Sequence, residues 1–587
     1  MKKFGKERPN TRREFLKRSL GVAAGASVGA VVVANAACGI PGPTGRGEHG
    51  EKPVEGPADA VPGGGKEPPS SEQTPAQDSL NKPKSAYIPI TTVSQRIVGL
   101  LPERLQPPHK KAKWGITKLA AGESHLVHSG VKPLADGSSA LGAPVSLLTF
   151  VGLTDIHILD EESPARTVEL NGIAQSAWHR QECYSTQLLD AMVRKIVSLN
   201  KFSPVDFVMV TGDVIDNCQL NELEWFFQVM NGGPVRPNSG QLEDPRPGPN
   251  NDPHDDFVAA GLGGIPWYGT VGNHDGLVQG NFTVSEKTGY SSFTGDPTRD
   301  EVRLLDPSRT NPPHCEPVPA NEASAPERCT PLLPRDLKRG KLPPDAKRRH
   351  LYREEFLARH VADGGHGFSQ NNVKAKKGDY WLDPVPGMPI RLIVMDTCAK
   401  GGALGEYSKE QLDGFLKPAL KKAQDQDRLV VLVSHHPSAY IVGRTLQLRN
   451  ILHDHPNVLI HLVGHHHANK VVGREGKTPE AGYWEVQSSS LAEWPLQSRF
   501  FEIIDKRDGT VELWLTMVDF DTDYPGGKLV EAARFFALYE TQAGEAVFHN
   551  TAGKPTDRNV ILPVTLTSRM RVQLNGIQGR KPVSNRF

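Results

Sequence analysis

"NVLIHLVGHHH" (457–467) carries an apolar run through a glycine into three consecutive histidines, and "ANK" follows. The run has the length and composition of a buried strand, and the histidines stand at its carboxyl end. In an extended chain successive side chains point to opposite faces, so this reading sends His465 and His467 to one common centre and His466 away from it.

Other apolar runs end in the same way. "SLLTFVGLTD" (146–155), "DFVMVTGD" (206–213), "IPWYGTVGNHD" (265–275), "IRLIVMDT" (390–397) and "LVVLVSHH" (429–436) each deliver Asp, Asn or His at the carboxyl tip. Between them lie segments with helical spacing, such as Gln181 to Leu199, and the alternation predicts a layered α/β domain. In such domains ligands collect at the rim formed by the strand ends.

The polar tips form a series: Asp155-Ile156-His157, Gly212-Asp213-Val214-Ile215-Asp216, Gly272-Asn273-His274-Asp275, His435 in "SHHPS", and Gly464-His465-His466-His467. Each alone is ordinary turn composition. Together they supply carboxylate, imidazole and amide donors suited to borderline divalent cations. In this order, from about Ser146 to Asp519, the sequence resembles the calcineurin-like metallophosphoesterase superfamily, whose pattern is D-x-H, G-D-x-x-D, G-N-H-D, H and G-H-x-H.

The resemblance implies an α/β fold, a four-layer αββα sandwich of two mixed β-sheets; the Pro- and charge-rich interval 276–389 is too long for an ordinary connection and reads as a long insertion over the site, and 521–587 as a small C-terminal extension. The resemblance also implies a dinuclear centre in which Asp155, His157 and His467 hold one metal, Asn273, His435 and His465 hold the other, and Asp213 bridges them. His435 is preferred to His436 because the family's ligand stands two residues before the proline. Asp216 and Asp275 are expected to orient ligands or the catalytic histidine. The implied reaction is hydrolysis of phosphomonoesters or phosphodiesters by a metal-bridging hydroxide, with His274 as general acid and Asp275 beside it in the catalytic group. Asn273, His274, His436 and His366 are the candidate substrate contacts. Mn, Fe and Zn all suit these donors.

Purple acid phosphatases carry a tyrosine ligand just after the second motif's aspartate. Here Val214, Ile215 and Asp216 follow Asp213, so a tyrosinate-coloured ferric site is not expected. Segments "DGGHGFS" (363–369) and "YWEVQSSSLAEWPLQSRFFEI" (483–503) look like those of exported bacterial relatives. Trp494 and Arg499 in the latter are expected to pack and pair within the fold.

The remaining sequence bears on location. "TRREFLKRSL" places Arg12 and Arg13 ahead of a short Ala/Gly-rich apolar stretch ending in "ANAAC", the pattern of a twin-arginine signal peptide over residues 1–38. The expectation is a chain exported by the twin-arginine machinery and secreted or held at the cell surface or in the periplasm. Cys38 is the alternative point of a lipid anchor. Residues 39–83 are rich in Pro and Gly and read as a disordered linker. Residues 84–145 form a lead-in segment, and 146–520 the phosphoesterase domain.

Lys and Arg number 68 against 67 Asp and Glu, so no global field draws the chain to nucleic acid or an anionic membrane. The basic run "DLKRGKLPPDAKRRH" (336–350) reads as a solvated face. Of the cysteines, Cys315 and Cys329 bracket a Pro-rich loop and are the expected disulfide, while Cys183, Cys218 and Cys398 leave an odd number once Cys38 is set aside. Two rival readings are a surface binding module that keeps the fold without catalysis, and a nuclease-type phosphodiesterase.

Overall fold

The apolar runs assemble into two mixed sheets. The structure, a computed structural model, describes residues 91–100, 115–129, 142–163, 179–240, 256–283, 300–305, 315–316, 328–329, 337–341, 345–398, 404–543 and 550–577. The expected signal segment 1–38 and linker 39–83 lie outside the described residues.

In chain order the strands of the two sheets are Leu126–Val127 (β1), Val145–Leu153 (β2), Phe207–Val210 (β3), Trp267–Gly269 (β4), Tyr380–Leu382 (β5), Ile390–Met395 (β6), Leu429–Ser434 (β7), Val458–Val463 (β8), Lys470–Arg474 (β9), Tyr483–Gln487 (β10), Ser498–Asp505 (β11), Thr510–Val518 (β12) and Val560–Thr565 (β13). One sheet has seven strands in the order β1-β13-β12-β11-β2-β3-β4, and the other six in the order β5-β6-β7-β8-β10-β9. The β2-β3-β4 and β6-β7-β8-β10 ladders are parallel, so their carboxyl ends share a rim.

Alternation of side chains builds the layers. On β6 and β7, Leu392, Val394, Val431 and Val433 join a core shared with β2, β3 and β11, whereas Ile393, Met395, Val430 and Leu432 face a second cluster. That second cluster is closed by Ala419, Leu420 and Ala423 of a helix at Lys417–Asp425 and by Leu448, Ile451 and Leu452 of a helix at Thr445–His453. Helices Ser185–Asn200 (α1), Leu220–Asn231 (α2) and Gly527–Ala543 (α3) bring Leu188, Met192, Phe226 and Phe536 to the shared core. Such residues are fully buried, and truncating one to alanine costs about 2–5 kcal/mol. The result is the expected α/β sandwich of two mixed sheets.

Three boundaries differ from expectation. The C-terminal segment 521–587 is not an appendage, because β13 pairs with β12 along Thr510–Leu515 and α3 packs on α1. Its Pro563 is tolerated since β1 pairs only with Val560 and Ile561, leaving the rest of β13 an edge. The lead-in segment likewise supplies β1 to the sheet edge. Of the expected insertion, Tyr380–Leu382 is a strand of the six-stranded sheet, and Arg348 in the basic run is fully buried against Asp160 and Ser239. Cys315 and Cys329 stand opposite each other in an antiparallel ladder.

Candidate metal centre

Loops at the carboxyl ends of β2, β3, β4, β7 and β8 meet on the shared rim. Asp155 N donates to Gly212 O at 3.1 Å and His157 N to Asp213 O at 3.0 Å, which ties the first two loops together. Gly464 N donates to His435 O at 2.8 Å, joining the β7 and β8 loops. A Cβ on Gly272 would lie 2.0 Å from Asp213 Oδ1, so only glycine lets the third loop approach the second.

The side chains do not converge by strand alternation. Asp155, His157, Asp213, His465 and His467 have φ of 49°, 52°, 52°, 71° and 51°, a left-handed region sparsely used by L-residues other than Asn and Asp. They lie beyond the strand ends, so the extended-chain argument for His465 and His467 fails even though both point inward. His466 does turn away, its ring 3.8 Å from that of Tyr440.

His465 and His467 enter different groups. In the first, His157 Nε2 lies 3.2 Å from His467 Nε2, and His467 Nε2 lies 3.4 Å from Asp155 Oδ1. The far nitrogens are engaged: His157 Nδ1 with Asp216 Oδ1 at 2.9 Å and His467 Nδ1 with Glu493 Oε1 at 2.9 Å. A carboxylate can only accept, so each Nδ1 carries a proton and each Nε2 faces inward. In the second group, His435 Nε2 lies 3.0 Å from both Asp213 Oδ2 and Asn273 Oδ1, and His465 Nδ1 lies 3.1 Å from Asn273 Oδ1. Thr211 O takes the other nitrogen of His435 at 2.8 Å. Gly280 O, 3.2 Å from Asn273 Nδ2, fixes which amide atom faces the group.

Asp213 stands between the two, with Oδ2 also 3.9 Å from His157 Nε2. Asp155, His157, Asp213, Asn273, His435 and His467 are buried, and His465 is partly exposed. Inward-facing imidazole nitrogens and acceptor oxygens suit cations. Two nitrogens on one tetrahedral ion at about 2.0–2.1 Å would themselves stand about 3.3–3.4 Å apart. The electrostatics agree. Burial opposes charge on His467 and His435, yet Glu493 and Asp155 push the first up to about 10, and Asp213 and Asp155 push the second to about 9. Protons thus supply positive charge that a bound cation would supply instead.

His274 borders both groups. Its Nδ1 lies 2.9 Å from Asp216 O and 3.1 Å from Asp216 Oδ1, and its ring meets that of His157 edge-on at 4.5 Å. Burial would lower its pKa, but Asp213 and Asp216 raise it to about 9. Asp216 therefore orients both His157 and His274. Asp275 does not share this work, contrary to its expected catalytic place. Its carboxylate accepts from the backbone N–H of Gly272, Asp213, Val214 and Ile215, because the tight 272–275 turn aims it at the neighbouring loop.

Of the other expected contacts, His436 stays close, with its ring 4.3 Å from that of His465 and Nδ1 2.8 Å from Thr397 Oγ1. His366 does not. It stacks on Trp267 at 3.5 Å and pairs with Asp363 at 3.0 Å, so its polar atoms are spent in a separate aromatic cluster. Arg499 is fully buried and donates to Asn469 Oδ1 and to the carbonyls of Asp557 and Arg558, while Trp494 is buried in the core, both as expected. Glu493 was not singled out from the sequence. It lies inside "SSSLAEWP", where no spacing links it to His467.

Residues 148–314 match the family model described as calcineurin-like phosphoesterase. The motifs at His435 and Gly464–His467 lie beyond that span and are brought to it by the second sheet. Among solved structures the chain is similar to a dimetal phosphatase from Danio rerio, at 11% identity over 64% of this chain and 100% of that one, with a TM-score of 0.34. It is also similar to a purple acid phosphatase from yellow lupin (Lupinus luteus) seeds, at 10% identity over 80% of this chain and 60% of that one, with a TM-score of 0.27. No curated protein matches the sequence. Over residues 148–314, then, the chain is similar to the calcineurin-like phosphoesterase family.

Proposed function

We propose that the chain is an exported, dinuclear metal-dependent phosphoesterase that hydrolyses phosphomonoesters or phosphodiesters. The observation that carries the reading is the pair of inward-facing donor groups joined by Asp213. Asp155, His157 and His467 would hold one cation, and Asn273, His435 and His465 the other. Mn, Fe and Zn all fit this donor set. Bound there, such ions would supply Lewis-acid polarisation and lower the pKa of water toward neutrality.

The protein's own groups do the rest. Asp216 holds His274 by Nδ1, leaving Nε2 to donate a proton to the leaving alkoxide. A pKa near 9 keeps His274 protonated at neutral pH, as a general acid requires. His436, beside His465 at the second group, is suited to bind a phosphate oxygen. The paired Arg12 and Arg13 ahead of a short apolar stretch support export through the twin-arginine machinery.

Metal analysis of the purified chain, with hydrolysis of aryl mono- and diesters before and after chelation, tests the reading. About two ions of Mn, Fe or Zn per chain are expected, with activity lost on chelation and regained on metal return. Undiminished hydrolysis by the metal-free protein would refute it.

A further inference from the structure

His179, just ahead of α1, stands between two buried carboxylates that come from distant parts of the chain. Its Nδ1 lies 3.1 Å from Glu540 Oε2 on α3, and its Nε2 lies 3.6 Å from Glu493 Oε1, an ion-pair separation. That same oxygen of Glu493 accepts from His467 Nδ1. Glu540 is itself anchored, accepting from Arg180 N at 2.7 Å, Arg180 NH1 at 3.3 Å and Gln181 Nε2 at 3.2 Å. Gln181 also donates to Ala492 O at 2.8 Å, beside Glu493. Glu182 closes the turn by accepting from His179 N at 2.9 Å.

Charges alternate along this line. Burial would lower the pKa of His179, but Glu540, Glu493 and Glu182 raise it to about 9, so a positive ring sits between negative carboxylates. Buried carboxylates are costly unless paired and hydrogen-bonded, and alternation gives the buried Glu493 carboxylate a cationic ring on either side of its Oε1. With His467 as its sole partner, Glu493 would be free to swing. With His179 behind it, Oε1 is held from two sides.

We propose that His179 is a positioning residue for the first donor group: anchored by Glu540, it fixes Glu493 and so keeps His467 Nε2 turned toward His157 and Asp155. The inference rests on the dinuclear reading above. It makes the affinity of one ion, and not the other, depend on α3, the helix that carries Glu540.

The test measures Zn2+ affinity of the full chain by chelator competition, for His179→Gln and Glu540→Gln. Outer partners of a metal ligand typically contribute about 10–100-fold in affinity, so one of the two ions should weaken by about tenfold while the other holds. In a Glu493→Gln background His179→Gln should add nothing, because the path is already cut. Unchanged affinity in both variants, or a loss that adds in full to that of Glu493→Gln, would overturn the proposal. A merely structural role would lower the melting temperature of metal-free protein and leave the affinities alone. The near-isosteric Glu540→Gln serves if His179→Gln does not fold. Wild-type protein binding fewer than two Zn2+ would instead overturn the dinuclear reading itself.

Discussion

His157 and His467 meet Nε2 to Nε2 at 3.2 Å although 310 residues separate them. Each ring is held from behind by a carboxylate, Asp216 for one and Glu493 for the other. Two such nitrogens cannot both carry protons at that distance, so one lone pair always points at the other ring. His467→Ala removes one of the nitrogens and should reduce metal content from about two ions per chain to about one. Activity should fall by more than the about 10–100-fold typical of losing an outer partner. Elemental analysis and initial rates check this together, and a variant retaining both ions would contradict it.

His274 touches neither donor group through its ring nitrogens, which leaves it free for proton transfer. His274→Ala should keep both ions and lose about 10²–10⁴-fold in rate on alkyl phosphate esters. Esters with good leaving groups, such as nitrophenyl, should suffer far less. Equal losses on both substrate types would remove His274 from the acid role.

Asp275 supports the loop that carries Asp213. Asp275→Ala strands four backbone N–H groups in a buried turn, and unsatisfied groups cost about 1–3 kcal/mol each, so a destabilisation of about 3 kcal/mol or more is expected. Denaturant unfolding measures it. A change below about 1 kcal/mol would show that this carboxylate does not hold the loop.

His179 should imprint a pH dependence on stability. It faces Glu182, Glu493 and Glu540, with Arg180 and His467 as neighbouring cations, and its folded pKa is raised to about 9 from 6.5. A raised base stabilises fully below its unfolded pKa and loses that stabilisation as pH climbs through the folded value. Metal-free wild type should therefore lose stability between pH 6.5 and 9 more steeply than His179→Gln. Parallel melting curves over that window would contradict the assignment.

The strand tips were legible because hydrophobic runs and polar ends are local patterns. Which tip residues serve as donors, namely Asp155, His157, Asp213, Asn273, His435, His465 and His467, was implied by the family resemblance and not by the patterns themselves. Strand β13 was missed because Pro563 interrupts its run, and only an edge position in the sheet accommodates it. His366 shared a glycine-rich setting with loop residues, yet stacking on Trp267 claimed it.

By itself the sequence determined that Asp, Asn and His side chains stand at the ends of buried strands, since periodicity and turn composition act over a few residues. Local pattern does not say how they divide; the family resemblance implied it, and the tertiary structure brings His465 to Asn273 and His435, and His467 to His157 and Asp155. It also decided that Asp216 orients two histidines while Asp275 braces a loop, and that Glu493, His179 and Glu540 line up behind His467. Those partnerships join residues tens to hundreds of positions apart, and proximity at that range follows from sheet order, crossover connections and left-handed turns at the rim.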